Sequence, residues 1–83
     1  MKLIAAPTHE QGQDFVIVLV KDHVIHNAAQ RAEIAAAARQ LFGYRAALLG
    51  ERDHGTWGPA DIVRWLENVS PDRLPWREYH VNN

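Results

Sequence analysis

A continuous apolar run at residues 15–20 (FVIVLV) constrains the fold of this chain more than any other stretch. Four of its six residues are β-branched, and β-branched side chains are stiff at χ1 and fit a pleated sheet. An alternating pattern would indicate one solvated face, whereas an unbroken run indicates a strand that is buried on both faces. A short buried helix is the alternative, but the length of the run and the charged residues that bound it, Asp14, Lys21 and Asp22, favour a central strand.

The size and composition of the chain limit its class. It has 83 residues, of which 47% are apolar, and this suits one small domain that spans residues 1–83. It contains no cysteine, which excludes disulfides, thiolate metal ligands and cysteine nucleophiles. No apolar stretch approaches the roughly 18–20 residues that cross a bilayer, and residues 1–7 lack the pattern of a signal peptide. We therefore expect a cytoplasmic protein with no membrane partner.

The segments around the central strand predict further elements in the order β-β-α-β-α-β. Residues 2–6 (KLIAA) predict a short edge strand. The Pro and Gly within residues 7–13 predict a loop that returns the chain antiparallel to that strand. Residues 22–25 are expected to continue the central strand beyond Val20.

An Ala-rich helix is predicted over residues 28–42, because Ala is the best helix former. Asn27 is a favoured N-cap, Gln30 fits a capping box with it, and Gly43 is a natural residue just beyond the helix end. One apolar face forms on a helical wheel, and its small residues allow close approach to a sheet. This face consists of Ile34, Ala38, Leu41 and Phe42, with Ala35 and Ala37 at its margins.

The remaining chain predicts two more strands and a second helix. Residues 44–49 follow the first helix as a strand, and short turns between these elements favour a parallel right-handed crossover. Residues 50–58 form a polar loop, and Pro59 suits the first position of a helix whose apolar stripe is Ile62, Trp65, Leu66 and Val69. Residues 70–75 predict a turn, and residues 76–81 alternate as a half-exposed edge strand does.

These elements predict a two-layer sandwich of the α+β or α/β class, with about four strands in one sheet and two helices packed on it. If both helices share one face, the other face of residues 15–20 is left uncovered. That face would then need a partner, a second copy or long loops to cover it.

The loops that follow two predicted strands carry the sharpest candidate site. Ligands favour the carboxyl ends of parallel strands, and the loops after residues 20 and 49 would then open on the same edge of the sheet. Imidazoles beside carboxylates can bind a metal ion or act as a general base near neutral pH. The weak metal candidates in these loops are His23, His26 and His54, with Asp22, Glu51 and Asp53 beside them.

A catalytic role for these loops lacks a nucleophile. The only serine is Ser70 in a predicted turn, and the threonines are Thr8 and Thr56. No glycine-rich phosphate loop, nucleophile elbow or His-Glu-x-x-His motif is present. A small enzyme that uses His23 or His54 as its general base stays an alternative, but we predict no catalytic residues, no cofactor and no enzymatic activity.

Aromatic and arginine residues predict a surface that binds a protein partner. Protein interfaces concentrate Trp, Tyr and Arg anchors. Trp57 lies in a glycine-flanked polar loop and Trp76 on a half-exposed strand, so either side chain can stay accessible. Trp65, by contrast, falls on the apolar stripe of a helix. The predicted binding residues are Trp57, Trp76, Arg52, Arg73, Arg77, Asp53 and His54.

A second copy of the chain and a nucleic acid are the other partners to consider. Residues 77–81 or 2–6 could pair with a strand of another chain, although Arg77 and Glu78 protect that edge, and a homodimer could use an exposed sheet face. Tyr44 or Trp76 could stack on bases. The net charge is −1 without a basic stripe, so nucleic acid is not expected to bind directly.

The general profile of the chain resembles that of small, motif-free α/β proteins carried by phages and mobile elements. This is a similarity of size and type. Such proteins often inhibit host machines, including CRISPR surveillance complexes, by covering a surface. The resemblance therefore implies a non-catalytic interaction protein that blocks the working surface of a larger complex.

Overall fold

The computed structural model describes residues 1–81, which form one mixed five-stranded sheet with three helices and a 3₁₀ turn at Pro71–Arg73. The strands are β1 (Lys2–Glu10), β2 (Gln13–Val20), β3 (Arg45–Gly50), β4 (Thr56–Trp57) and β5 (Arg77–His80). The helices are α1 (Asp22–Ile25), α2 (Ala28–Phe42) and α3 (Ala60–Leu66). Among residues 1–81, none of the helices has the length and apolar character needed to cross a membrane.

The order of strands across the sheet is β4-β3-β2-β1-β5, so the apolar run lies at the centre as predicted. Neighbours β2 and β3 are parallel, and the other neighbouring pairs are antiparallel. The predicted α+β sandwich, with helices packed on one sheet, is confirmed. The sheet has five strands instead of about four, because Thr56 and Trp57, predicted as loop, pair with Leu49 and Leu48 of β3.

The helices α2 and α3 lie on opposite faces of this sheet. Consecutive residues of a strand point to opposite faces, so β2 contributes side chains to both. One face carries the cluster around α1 and α2, which includes Val16, Val18, Val20 and Ala38. The other face carries the cluster around α3, which includes Phe15, Ile17, Ile62 and Leu66. Neither face of the central strand is bare, so the partner considered for a shared-face arrangement is not required.

The buried stripe of α2 is narrower than predicted. Ala35 and Ala38 are fully buried, and Ile34 and Phe42 pack partly buried against the same cluster. Leu41, which the helical wheel assigned to this face, is 41% exposed. The two alanines set the line of closest contact, and at about 100° per residue Leu41 lies roughly a quarter-turn away from it.

The hairpin that joins β1 to β2 has a shorter turn than predicted. Strand β1 extends to Glu10, and Gln11 and Gly12 alone connect it to β2, with φ values of 52° and 74°. Two consecutive positive φ values are typical of a type I′ turn, whose twist matches that of the paired strands. The prediction of a loop over residues 7–13 is therefore wrong, because residues 7–10 belong to β1.

Pro7 is tolerated inside β1 because its missing N–H faces an unpaired part of that strand. Met1 and Val81 exchange both backbone hydrogen bonds, at 3.0 and 2.7 Å, so odd-numbered residues of β1 point their N–H and C=O groups towards β5. Pairing with β5 ends at Ala5. The next pair in this register would join Pro7 with Pro75, and neither residue has an N–H to donate.

Residues 22–25 form the one-turn helix α1 and do not extend β2 as predicted. Their two apolar side chains are buried in the cluster beneath α2, so packing overrides the strand preference of the local sequence. The predicted ends of α2 are confirmed. The Asn27 side chain accepts a hydrogen bond from the Gln30 N–H at 3.0 Å, and Gly43 ends the helix with a φ of 73°.

Candidate interaction surfaces

The loops that follow β2 and β3 open on the same edge of the sheet, because these two strands are parallel. Asp22, the first residue of α1, joins them. Its Oδ1 atom accepts hydrogen bonds from the backbone N–H groups of Arg52 at 3.1 Å and Asp53 at 3.2 Å. The Glu51 N–H donates to the Val20 carbonyl at 2.8 Å. The predicted convergence of these loops is confirmed, and the Asp22 carboxylate holds the turn after β3 in place.

The turn between β3 and β4 consists of residues 51–54 and is exposed. The Gly50 N–H donates to the Gly55 carbonyl at 2.8 Å, and His54 adopts a left-handed φ of 56°. A Cβ atom at Gly50 would lie 2.7 Å from Asp22 Oδ1, so glycine at this position allows the carboxylate to approach. The turn brings three predicted binding residues together: Arg52, Asp53 and His54.

The weak metal candidates His23, His26 and His54 do not form a metal cluster. All five histidines of the chain are exposed. Within residues 1–81, no group of three or more His, Asp or Glu side chains is placed to hold a metal ion. The histidine–carboxylate pairs that do form lie elsewhere: His9 with Asp14 at 2.8 Å, and His80 with Glu78 at 3.4 Å.

Trp57 of β4 pairs with Leu48, two positions before the end of β3, and is half-buried. The guanidinium of Arg31 lies over its ring, with Cζ 5.3 Å from the ring centroid, and the same guanidinium donates to the Ile25 carbonyl at 2.9 Å. The outer side of Trp57 borders an open groove of about 370 Å³. We call this the edge groove, and its lining residues are Arg39, Arg45, Ala46, Trp57, Gly58 and Pro59.

Arg45, which lines the edge groove, forms an exposed ion pair with Asp61 of α3. Its Nη1 and Nη2 atoms donate to the two carboxylate oxygens at 3.1 and 2.8 Å, and Nη2 also donates to the Gln13 side chain. Hydrogen bonds from Arg45, more than its charge alone, lower the pKa of the Asp61 carboxyl and raise the pKa of the arginine. Arg39, which also lines the groove, is exposed and forms no ion pair within residues 1–81.

Trp76 differs from Trp57, although both were predicted to bind. Its indole Nε1–H donates to the Pro71 carbonyl at 2.8 Å, and its ring packs against the cluster beneath α3. Arg73 and Arg77 near it are exposed. The predicted binding residues are therefore divided between two ends of the sheet, with Arg52, Asp53, His54 and Trp57 near β4 and Trp76, Arg73 and Arg77 near β5.

An aromatic patch beside β5 was not identified from the sequence. Phe42 meets the Tyr79 ring edge-on at 4.8 Å and stacks with Tyr44 at 6.5 Å between centroids. Leu41 and Tyr44 are 41% and 37% exposed and are two of the large apolar side chains left open to solvent. The name aromatic patch is kept below for Leu41, Phe42, Tyr44 and Tyr79. The sequence signal for this patch was the pair of bulky residues at the end of α2, Leu41 and Phe42, which the helical wheel assigned to the face that packs on the sheet.

Comparisons with protein-family models, with curated proteins and with solved structures gave no significant match.

Proposed function

We propose that this protein is a non-catalytic interaction module that receives a segment of a protein partner in the edge groove. The observation that carries the proposal is the combination of Trp57 and Pro59, which give the groove an apolar wall, with two arginines that also line it, Arg39 and Arg45. Trp and Arg are enriched among residues that dominate binding energy, above all where an aromatic ring lines a pocket.

The charges at the groove define the partner's chemistry. Arg39 has an unneutralised guanidinium, whereas the charge of Arg45 is partly balanced by Asp61. A carboxylate on the partner can form a bidentate, charge-assisted pair with Arg39. We therefore expect a segment that places one apolar side chain against Trp57 and an acidic side chain next to Arg39.

A selection from a random displayed peptide library tests this preference. We expect the enriched peptides to carry an apolar residue flanked by Glu or Asp, and to shift the backbone amide signals of the groove residues in an NMR titration. Arg39→Glu should weaken binding by about tenfold or more, because it replaces a charge-assisted pair with a repulsion. Arg64→Glu is the matched control, since Arg64 is also exposed on a helix but lies away from the groove.

The proposal fails if the enriched peptides are not acidic, if the NMR shifts fall outside the groove, or if the two variants lose equal affinity. A loss of affinity in Arg39→Glu alone supports the proposal only if that variant still folds, and circular dichroism checks this. The exposed position of Arg39 makes a folding defect unexpected.

The partner that we propose for such a module is a larger complex whose working surface it covers, such as a CRISPR effector. Purified effector complexes of several types, assayed for DNA cleavage, test this role. The wild-type protein and Arg64→Glu should inhibit one of them equally, and Arg39→Glu should not. If no effector is inhibited, the CRISPR assignment is lost while the peptide selection still tests the groove.

A further inference from the structure

The outer strand β5 presents backbone groups that no other part of residues 1–81 uses. It is the last strand of the sheet, and its odd-numbered residues bond to β1, as the Met1–Val81 pair shows. Hydrogen-bonding direction alternates along a strand, so Glu78 and His80 point their N–H and C=O groups away from the sheet. This open edge can accept one further antiparallel strand.

The side chains on this edge are complementary to a second copy of themselves. Glu78 and His80 are exposed, lie on the same face of β5 and approach to 3.4 Å. If two β5 strands pair antiparallel about a twofold axis at Tyr79, Glu78 of each copy faces His80 of the other. An imidazole N–H can donate to a carboxylate in either charge state. Registers centred on Glu78 or His80 would instead place two carboxylates or two imidazoles directly opposite each other.

The same register is consistent with the backbone and with the aromatic patch. It makes Glu78 and His80 of opposite copies hydrogen-bonded pairs, which gives four backbone hydrogen bonds in all. The two Tyr79 residues form a non-hydrogen-bonded pair, in which side chains lie closest. Tyr79 packs on the same face as Phe42, so pairing brings the two half-exposed aromatic patches beside each other.

We propose that two copies of this chain associate through β5, in the register centred on Tyr79, to form one continuous sheet from their two five-stranded sheets. The proposal uses a surface separate from the edge groove and does not depend on the proposed function. Glu78 still protects this edge against unrelated apolar strands, because such a strand offers its carboxylate no hydrogen-bond donor.

Sedimentation equilibrium of the wild-type protein should show a concentration-dependent shift from 9.4 kDa towards twice that mass. His80→Glu puts two carboxylates opposite each other and should weaken the dimer by about tenfold or more. It should leave the monomer folded, since Lys2 of β1 lies directly opposite position 80. Adding Glu78→His to His80→Glu exchanges the two side chains and should restore the dimer.

Single introduced cysteines test the register, because the chain has none of its own. Under oxidation, Tyr79→Cys should cross-link rapidly, since Cα atoms of a non-hydrogen-bonded pair are about 4.5 Å apart, within disulfide range. Arg77→Cys is the matched control, because residue 77 would lie about four residues, or roughly 13 Å, from its copy. Circular dichroism checks that both variants fold.

Three results would overturn the proposal. One is a monomer at every concentration up to about 1 mM, which would leave the edge to a different protein. Another is a dimer that His80→Glu does not weaken but Leu41→Ser does, which would assign the contact to the aromatic patch alone. The third is faster cross-linking of Arg77→Cys than of Tyr79→Cys, which would exclude this register.

Discussion

The two outer edges of the sheet offer different surfaces to a binding partner. At the β4 edge only two residues pair with β3, and beyond them the chain at Gly58 passes close to Ala46 and Ala47. This edge therefore offers an added strand only a two-residue length of backbone. At the β5 edge, four residues pair with β1 and the outward backbone groups stay open. A short edge beside a groove suits a partner that inserts a side chain, whereas a longer open edge suits a partner that adds a strand.

This difference gives the proposed dimer a defined geometry. Pairing through β5 leaves both β4 edges at the far ends of the combined sheet. Nine spacings of about 4.8 Å between neighbouring strands would separate the two edge grooves by roughly 40 Å. A partner that presents two acidic segments at that distance would bind with higher avidity than either groove alone provides.

Gly58→Ala should have the largest effect on stability and should disrupt the β4 edge alone. Gly58 has a φ of 150°, and an added Cβ would lie 2.8 Å from Ala47 Cβ and 2.9 Å from Ala47 Cα. Unfavourable backbone geometry and a clash with a strand should together cost about 3 kcal/mol. Urea unfolding monitored by circular dichroism measures this loss.

Gly12→Ala separates the cost of the unfavourable backbone geometry from the cost of the clash. Gly12 also has a positive φ, of 74°, but no atom lies within 4 Å of its added Cβ. Its substitution should cost only the backbone term, about 1 kcal/mol. Equal losses at both glycines would show that the close approach of Gly58 to β3 contributes nothing to this cost.

The elements with strong local signals could be predicted from sequence. The apolar run defined β2, and Asn27, Gly43 and the alanines between them defined α2, because propensity, capping and packing agree there. The loop assigned to residues 7–13 failed because Pro7 is compatible with a strand only where its missing N–H faces an unpaired edge. That condition depends on where β5 lies, which is a property of the whole sheet.

The candidate site was predictable only in part for a similar reason. Sequence identified that the loops after β2 and β3 converge, since this follows from parallel pairing. It could not distinguish Trp57 from Trp76, because both are tryptophans in polar surroundings. The difference between them is a hydrogen bond to Pro71, formed only when the 3₁₀ turn folds back on the start of β5. The aromatic patch was missed because Leu41 matched a helical face that the sheet does not reach.

Replacing each of these two tryptophans by Phe should sharpen the contrast between the two edges. Trp76→Phe removes the bond from Nε1 to the Pro71 carbonyl and should cost about 1–2 kcal/mol. Trp57→Phe removes no indole hydrogen bond found within residues 1–81 and weakens the contact with Arg31, which should cost about 0.5 kcal/mol. The two changes remove the same atoms, so each serves as the control for the other. Urea unfolding measures both, and a larger loss at Trp57 would reverse the assignment of Trp76 as structural and Trp57 as accessible.

The smallest expected effect concerns the ion pair between Arg45 and Asp61, which appears only in the acid dependence of stability. Arg45 lowers the pKa of Asp61 in the folded protein below its unfolded value, so folding favours the ionised carboxylate. Its stabilising contribution is therefore complete above the unfolded pKa of about 3.9 and is lost as the pH falls through the lower folded pKa. Because both side chains are exposed, this contribution is small and should weaken further with added salt.

Asp61→Asn tests directly whether folding favours the ionised carboxylate. The variant should be slightly less stable than the wild-type protein at pH 7 and should converge with it near pH 2, so that its stability falls less steeply in acid. Asp72→Asn is the control, because Asp72 is exposed and its side chain has no hydrogen bond or ion pair within the described part of the chain. Urea unfolding at a series of pH values, in low and high salt, measures the difference.

A gap in stability between wild type and Asp61→Asn that widens as the pH falls would mean that the pairing with Arg45 does not favour the charged carboxylate. The arginine would then be free to serve the edge groove with its full charge, and Arg45→Glu should weaken peptide binding there as strongly as Arg39→Glu.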